Sequence, residues 1–288
     1  MRLSPDDNPL LCGVCGAPLS DSGRSLRCPA GHTFDVAREG YVNLLLPHQT
    51  RREVVGDDRA MLRARRRFLD RGFYRPLSEA INERVAEHIE GRTLAQAHIV
   101  DVGSGEGSYL AALKAHLEAR FETAFTFTGV DIAKEAARLA ARRYDGIRFV
   151  VADITVSLLL PEASVDVLLN VFAPRSPGEF YRVLRPGGLL LVVIPAPGHL
   201  ASLREQFGLL GIEQDKREHV AAQFAEDFAL ADTRRIEYAL ALGRDDLLDL
   251  VEMTPNYWHL TPETRDALHA SPGVETQAAF DLLAFRRS

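Results

Sequence analysis

One glycine-rich stretch, residues 98–113, limits the folds open to this chain of 288 residues. An apolar run that ends at Val102 is followed by Gly103, Gly105 and Gly107, and leucines then recur at helical spacing. Strand, glycine turn and helix form the opening unit of a doubly wound α/β domain. Because glycine lets the backbone turn tightly and approach a ligand, the stretch predicts a nucleoside site, with a dinucleotide and other nucleosides equally open.

Carboxylates at the ends of predicted strands indicate which nucleoside this site takes. Asp131 ends the second apolar run, where a carboxylate can accept hydrogen bonds from both ribose hydroxyls. Asp153 ends the third run and is placed to bind an adenine amino group. The first strand carries Asp101, so the motif is Asp-x-Gly-x-Gly-x-Gly and differs from the pattern of NAD enzymes. Each acid alone is also explained as a strand end or a helix cap, but the ordered set favours a cofactor site.

Together with Arg185-Pro-Gly-Gly188, this set resembles class I S-adenosyl-L-methionine-dependent methyltransferases. The resemblance implies an α/β, Rossmann-like fold with a seven-stranded sheet whose last strand is antiparallel. It also implies that S-adenosylmethionine is the cofactor. We expect the glycine loop and the strand ends to bind it through Asp101, Gly103, Gly105, Glu106, Asp131, Asp153 and Asn170.

The predicted fourth strand ends in Asn170-Val-Phe-Ala-Pro174, at the sheet edge where ligands of open α/β sheets bind. Amino-group methyltransferases often carry Asn/Asp-Pro-Pro-Tyr/Phe here, which accepts hydrogen bonds from an exocyclic amine. This chain departs from that pattern. The departure weakens a prediction of N6-adenine or N4-cytosine methylation.

The three cysteines all lie near the N-terminus, spaced as Cys12-x2-Cys15-x12-Cys28-x3-His32. Two ligand pairs on tight turns can close a tetrahedron around Zn²⁺. Four candidate ligands leave no open position, so the spacing favours structural zinc over catalytic zinc. Buried thiols beside a surface histidine are the alternative. We predict a zinc-binding module over residues 1–46.

Residues 47–74 are predicted to link this module to a methyltransferase domain over residues 75–288. The first part, residues 47–58, is polar and glycine-punctuated, which is typical of a mobile loop, and a helical pattern follows it. Between Arg51 and Arg75 there are nine arginines and four acids. A solvated helix face with salt bridges explains this composition, but beside a zinc module it also indicates contact with phosphate.

Several longer phrases resemble bacterial 23S rRNA (guanine-N1)-methyltransferases of the RlmA type. They cover nearly the whole chain and comprise Cys12–Cys15, Cys28–Leu45, Met61–Leu69, Gly72–Leu77, the glycine loop and Asn170–Pro174. The phrase from Cys28 to Leu45 is highly specific. The sequence of residues 169–175 is similar to that of the family branch associated with resistance to tylosin and related macrolides.

The resemblance implies that Tyr74 and His199 contact the cofactor, His199 near its methionine part. The family carries Gly-His-Tyr-x-Pro where this chain has Gly-Phe-Tyr-Arg-Pro, so no imidazole role carries over to Phe73. Packing is the alternative role for Tyr74. The single tryptophan, Trp258, matches a family phrase and is explained equally by support of a flipped base and by structural packing.

The resemblance implies S-adenosylmethionine-dependent methylation of guanine N1 in a hairpin loop of 23S rRNA near the peptide exit tunnel, with macrolide resistance as a further consequence. N1 lies on the pairing edge, so the base must be unpaired or flipped. No residue is identifiable as the general base that removes the N1 proton. A small-molecule methyltransferase with a structural zinc module and a non-enzymatic RNA-binding protein are the alternatives.

Charge and hydropathy limit the partners of the chain. The formal net charge is −6, so any RNA site must be local. No apolar run approaches the roughly 20 residues of a membrane span, and the polar N-terminal start lacks an apolar signal core. We therefore expect a cytoplasmic protein without a membrane partner. By analogy with the family, a homodimer would wall an RNA cleft with its zinc modules.

Overall fold

The computed structural model describes residues 9–46, 58–92, 94–211 and 213–288, without the side chains of Pro255 and Asn256. The predicted mobile loop lies outside the described residues except for Asp58. That residue caps the first helix, because its carboxylate accepts a hydrogen bond from Met61 N–H at 2.9 Å.

The helices of the described residues include the two predicted from the sequence, after residue 58 and after the glycine loop. They are α1 (Arg59–Asp70), α2 (Arg75–Glu90), α3 (Ser108–Arg120), α4 (Lys134–Arg143), α5 (Pro177–Val183), α6 (Ala201–Phe207), α7 (Lys216–Phe224), α8 (Arg244–Glu252) and α9 (Pro262–Ala270). A 3₁₀ turn, Pro255–His259, lies between α8 and α9. None of the helices in the described part of the chain has the length and apolar character of a membrane crossing.

The strands form a small N-terminal sheet and a large central sheet. They are β1 (Ser20–Asp21), β2 (Ser25–Arg27), β3 (Thr33–Asp35), β4 (Val42–Asn43), β5 (Gln96–Val102), β6 (Ala124–Asp131), β7 (Arg148–Val151), β8 (Val165–Val171), β9 (Leu184–Pro195), β10 (Phe228–Gly243) and β11 (Gly273–Arg287). The central order is β10-β11-β9-β8-β5-β6-β7-β4. Strands β4 to β9 run parallel, and β11 runs antiparallel between β9 and β10. This is the predicted class I sheet with an antiparallel last strand, and β4 adds an eighth strand.

The middle of the sheet is apolar on both faces because helices cover both of them. Alternate residues of β5 enter opposite cores. Ile99 packs in the core that contains the buried faces of α2 and α3, whereas Val100 and Val102 pack in the core that contains α5 and α7. Strand β5 lies between β6 and β8, so the order of the strands reverses there and a crevice opens at their carboxyl ends. The glycine loop leaves β5 at this crevice.

The N-terminal module is joined to the central sheet through its backbone. Strand β4 pairs in parallel with β7, opposing Val42 to Val150. Leu44 N–H donates to the Val151 carbonyl at 2.9 Å, and Leu11 N–H donates to the Leu159 carbonyl at 2.7 Å. The module therefore covers the edge of the sheet at β7. The sequence did not predict this two-residue strand.

The arginine-rich helix α1 is held against α8 by ion pairs. Arg67 Nε donates to both oxygens of Asp249, at 2.8 and 3.1 Å, and Arg71 Nη1 donates to Asp249 at 3.3 Å. Arg71 also pairs with Asp246. For these two arginines the salt-bridge interpretation holds, because acids of the same chain bind them.

Candidate active site and zinc centre

The glycine turn after β5 is packed between the ends of β6 and β8. Gly103 and Ser104 both donate their N–H to the Val130 carbonyl, at 2.8 and 3.1 Å. Gly103 has a φ of +76°, and a Cβ atom added there would lie 2.3 Å from Cβ of Ala173. Only glycine fits this position, because a side chain meets both the neighbouring segment and an unfavourable backbone conformation. Gly105 and Gly107 also have positive φ.

Asp131 lies at the tip of β6 and is tied to the glycine turn. Its Oδ2 accepts from Gly105 N–H and its Oδ1 accepts from Ala133 N–H, both at 2.8 Å. These bonds fix the direction of the carboxylate. Because a carboxylate oxygen accepts more than one hydrogen bond, the same group can accept from ribose hydroxyls.

Asp101 is a buried acid whose surroundings favour binding of a cation. It is 2% exposed, and its Oδ1 has no hydrogen-bond partner among the described residues. Burial raises the pKa of Asp101 to about 7, and the nearby charge of Asp131 adds to the effect. A buried carboxylate without a partner is costly, and the α-ammonium group of S-adenosylmethionine would relieve that cost. The site therefore fits the cofactor.

This raised pKa predicts a pH dependence of stability. An unfolded Asp carboxyl has a pKa near 3.9, so the folded, cofactor-free protein binds more protons than the unfolded chain between about pH 4 and 7. Its free energy of unfolding should therefore fall as pH rises through that window, by on the order of 2–4 kcal/mol. In Asp101→Asn this part of the slope should disappear, while S-adenosylhomocysteine binds more weakly. Urea unfolding against pH measures the slope, with Asp153→Asn as the control; equal slopes in wild type and Asp101→Asn would contradict the assignment.

Asn170 is fully buried at the end of β8. Its Nδ2 donates to the Pro174 carbonyl at 2.9 Å, so a flipped amide would point Oδ1 at a carbonyl oxygen. Oδ1 has no hydrogen-bond partner among the described residues. The site thus presents one buried acceptor at the sheet edge where ligands of open α/β sheets bind.

Glu106 and Asp153 differ in how they are held. Burial raises the pKa of Glu106, whose Oε1 accepts from the Ser108 hydroxyl and whose Oε2 is unpartnered among the described residues. Asp153 is half-buried, and its Oδ1 accepts from Thr155 N–H at 3.0 Å and from the Thr155 hydroxyl at 2.6 Å. Asp153 therefore caps the turn after β7, the local role that the sequence also allowed.

Tyr74 and His199 come from distant parts of the chain and meet beside Phe280. His199 Nδ1 accepts from Ala279 N–H at 3.2 Å, and Nε2 lies 3.4 Å from the Tyr74 hydroxyl. Burial lowers the pKa of His199 to about 3, and nearby Arg204 lowers it further. The imidazole is neutral with its proton on Nε2, so it donates to the Tyr74 oxygen.

Arg65 is close to the glycine turn, although the sequence counted it only among nine arginines. A Cβ atom on Gly105 would lie 3.2 Å from Arg65 Nη1. Its Nη2 donates to the Met253 carbonyl at 3.2 Å, which fixes the side chain across α1 and α8. No local signal could identify this residue, because its place depends on the packing of two distant helices.

The four predicted zinc ligands are assembled in the N-terminal module. The ligand atoms of Cys12, Cys15, Cys28 and His32 all lie within 4.8 Å of one another. The Sγ atoms of Cys15 and Cys28 are 3.7 Å apart, and His32 Nδ1 is 3.3 Å from Cys28 Sγ. Burial raises the pKa of the Cys28 thiol, but hydrogen bonds from His32 and Cys15 outweigh it and lower the pKa to about 6. Three sulfurs and one nitrogen at these separations fit tetrahedral zinc.

Comparisons with known proteins agree with both parts of the site. A zinc-ribbon model described as "RlmA, N-terminal" matches residues 10–53, and a model described as "Methyltransferase domain" matches residues 99–188. The 23S rRNA (guanine(748)-N(1))-methyltransferase of Streptomyces fradiae is 41% identical over 254 residues, 88% of this chain and 87% of that protein. The chain belongs to the RlmA family of methyltransferases. A relative from Micromonospora griseorubida is 39% identical over 99% of both chains, and its name assigns 23S rRNA (guanine-N1)-methyltransferase activity provisionally.

One solved structure has partial similarity to this RlmA-family chain. The YcgJ protein of Bacillus subtilis has a TM-score of 0.47 at 18% identity, over 70% of this chain and 96% of that one. This level of similarity carries no argument about substrate. Family membership shows that the protein is an S-adenosylmethionine-dependent methyltransferase with a structural zinc ribbon.

Proposed function

We propose that this protein transfers a methyl group from S-adenosylmethionine to N1 of a guanine in 23S rRNA. The observation that carries the proposal is the similarity to a relative named for this reaction, which extends over 88% of the chain. The Micromonospora relative is similar over 99% of the chain, and so over both the ribbon and the methyltransferase domain. A small-molecule methyltransferase would not need the ribbon. A non-enzymatic RNA-binding protein would not need, beside a glycine turn, a buried Asp101 whose Oδ1 has no hydrogen-bond partner among the described residues.

The target is proposed to be a hairpin loop near the peptide exit tunnel. N1 of guanine is on the pairing edge, so a loop base reaches the methyl group with less unstacking than a base in a duplex. The similarity of residues 169–175 to the tylosin-resistance branch supports macrolide resistance as a consequence. A cytoplasmic location follows from such a substrate. A homodimer with ribbons walling the RNA cleft rests on analogy with the family.

The roles of the site residues are part of the proposal. Asp131 would accept from the ribose, Asp153 would bind the adenine, and Asp101 would pair with the ammonium group. The residues proposed to hold the cofactor are Tyr74, Asp101, Gly103, Gly105, Glu106, Asp131, Asp153, Asn170 and His199, and those proposed to hold zinc are Cys12, Cys15, Cys28 and His32. We propose that the chain has three parts: a zinc-binding module over residues 1–46, an arginine-rich linker and helix over residues 47–74, and a methyltransferase domain over residues 75–288.

The main task of the protein in this reaction is to align the acceptor nitrogen with the methyl group. The cofactor supplies an electrophilic methyl group on a sulfonium, and in-line displacement needs close approach and exclusion of water. Asn170 Oδ1 has two lone pairs, so besides the cofactor it can accept from a donor group of the base, and guanine offers N1–H and its 2-amino group. His199 does not act as the base, because Nδ1 already accepts from Ala279 and Nε2 carries the proton. No described residue is assigned as the base.

Primer extension on 23S rRNA tests this function. N1-methylguanine blocks the pairing edge and stops reverse transcriptase, so a stop in a hairpin loop should vanish when the gene is deleted. It should return with the wild-type gene and not with an Asp131→Ala variant of the same expression level. Absence of any gene-dependent stop in 23S rRNA would refute the proposal and place a small-molecule acceptor first.

A further inference from the structure

Phe172 combines exposure with an unfavourable backbone conformation. It lies two residues after Asn170, is 43% exposed and has a φ of +55°. Four non-glycine residues of the described chain have positive φ, and Phe172 is the exposed aromatic one among them. A bulky side chain in this region costs about 1–3 kcal/mol and persists where the surroundings hold it, often at functional sites.

The surroundings of Phe172 hold its ring near the glycine turn and near His199. Its N–H donates to the Val193 carbonyl at 3.2 Å, which anchors it to β9. The next residue, Ala173, is the one that packs against Gly103. The ring centroid of Phe172 is 5.5 Å from that of Phe280, which in turn lies 4.6 Å from the ring of His199. The ring of Phe172 thus packs against Phe280 on one side, while a large part of the residue is exposed to solvent.

We propose that Phe172 is the platform on which the acceptor guanine stacks, an inference that rests on the proposed function. Flipped bases are held by stacking on aromatic side chains together with hydrogen bonds to the base edge. Asn170 Oδ1, which has no hydrogen-bond partner in the described part of the chain, would be an acceptor for the base edge two residues away. Packing alone does not explain Phe172, because glycine or asparagine fits this φ better and an exposed ring gains little from burial.

The other exposed aromatic residue considered from the sequence is less suited. Trp258 is 58% exposed, but its ring contacts Tyr257 in the 3₁₀ turn after α8, at 5.6 Å and edge-on. Tyr257 in turn carries the guanidinium of Arg265 over its ring at 5.3 Å. These aromatic rings lie between α8 and α9, whereas Phe172 comes directly after β8, the strand that contains Asn170.

Substitutions at Phe172 separate stacking from structure. On an RNA hairpin that the wild type methylates, Phe172→Leu should lower kcat/KM by about 10-fold to 100-fold, the usual effect of losing one base–aromatic stack. Phe172→Tyr should stay within about twofold of wild type. Phe172→Gly should lose activity as Phe172→Leu does, while its Tm stays equal or rises because glycine removes the backbone strain. S-adenosylhomocysteine affinity, measured by calorimetry, should not change in any of the three.

Leu230→Ala is the matched control, since Leu230 is similarly exposed at 48% but lies on the edge strand β10. Wild-type kcat/KM in Phe172→Leu would overturn the stacking role and leave the proposed function intact. A parallel loss of Tm or of S-adenosylhomocysteine affinity in Phe172→Leu would also overturn it, because the residue would then be structural. Failure of the wild type to methylate any 23S rRNA hairpin would instead refute the proposed function.

Discussion

Gly103→Ala is expected to weaken S-adenosylhomocysteine binding by about 100-fold. The added Cβ would lie 2.3 Å from Cβ of Ala173, at a residue whose φ is +76°. Backbone on both sides is anchored, so the turn must move away from the place where the nucleoside binds. Removal of one or two hydrogen bonds to a charged ligand, each about 1.5–3 kcal/mol, gives this magnitude. Calorimetric titration measures the affinity, and thermal unfolding reports whether the fold survives.

Gly23→Ala is the control for backbone strain without a clash. Gly23 has a φ of +88°, and a Cβ atom there would meet nothing within 4 Å. This variant should lose on the order of 1 kcal/mol of stability and bind the ligand as the wild type does. Wild-type affinity in Gly103→Ala would show that the cofactor does not approach the turn, and the site would have to be placed elsewhere.

Removal of zinc should unfold the ribbon while the central sheet remains folded. Structural zinc contributes apparent binding energies of about 10–16 kcal/mol in small zinc modules, and strands β1 to β3 have only two or three residues each. In Cys28→Ser, or after chelation, one zinc per chain should be lost. Amide hydrogens of residues 10–46 should then exchange rapidly in mass spectrometry. The Leu11–Leu159 hydrogen bond would be lost too, so the loop that carries Asp153 should exchange faster.

Val14→Ala is a suitable control, because Val14 is exposed between two ligands and supplies none of them. This variant should keep its zinc and its protection. Slow exchange of residues 10–46 in fully zinc-free protein would contradict a structural role for the metal.

The parts predicted correctly from the sequence are those that local patterns specify. Buried parallel strands are continuous apolar runs, and glycine turns and ligand spacings are fixed by a few neighbouring residues. The antiparallel last strand, which the resemblance to class I methyltransferases implied, is β11 and has the range Gly273–Arg287. The assembly of Cys12 with His32 was likewise encoded in spacing alone.

The parts that were not predicted depend on contacts between distant segments. Arg67 was a candidate for phosphate contact, but Asp249 of α8 binds it instead. Strand β4 has two residues and no recognisable period, so its pairing with β7 could not be predicted. The strain at Phe172 depends on how β8 ends beside the glycine turn, and no residue type in the sequence indicates this strain.

The pairing of β4 with β7 also sets an order of events during synthesis. Val42 leaves the ribosome well before its partner Val150, by about 5–20 seconds at ordinary rates of translation. Throughout that interval the ribbon has no sheet to join, so bound metal is what can hold it folded. Metal capture therefore comes first and docking second. A chain made without zinc would present β7 as an uncovered edge, which is a template for pairing with other chains.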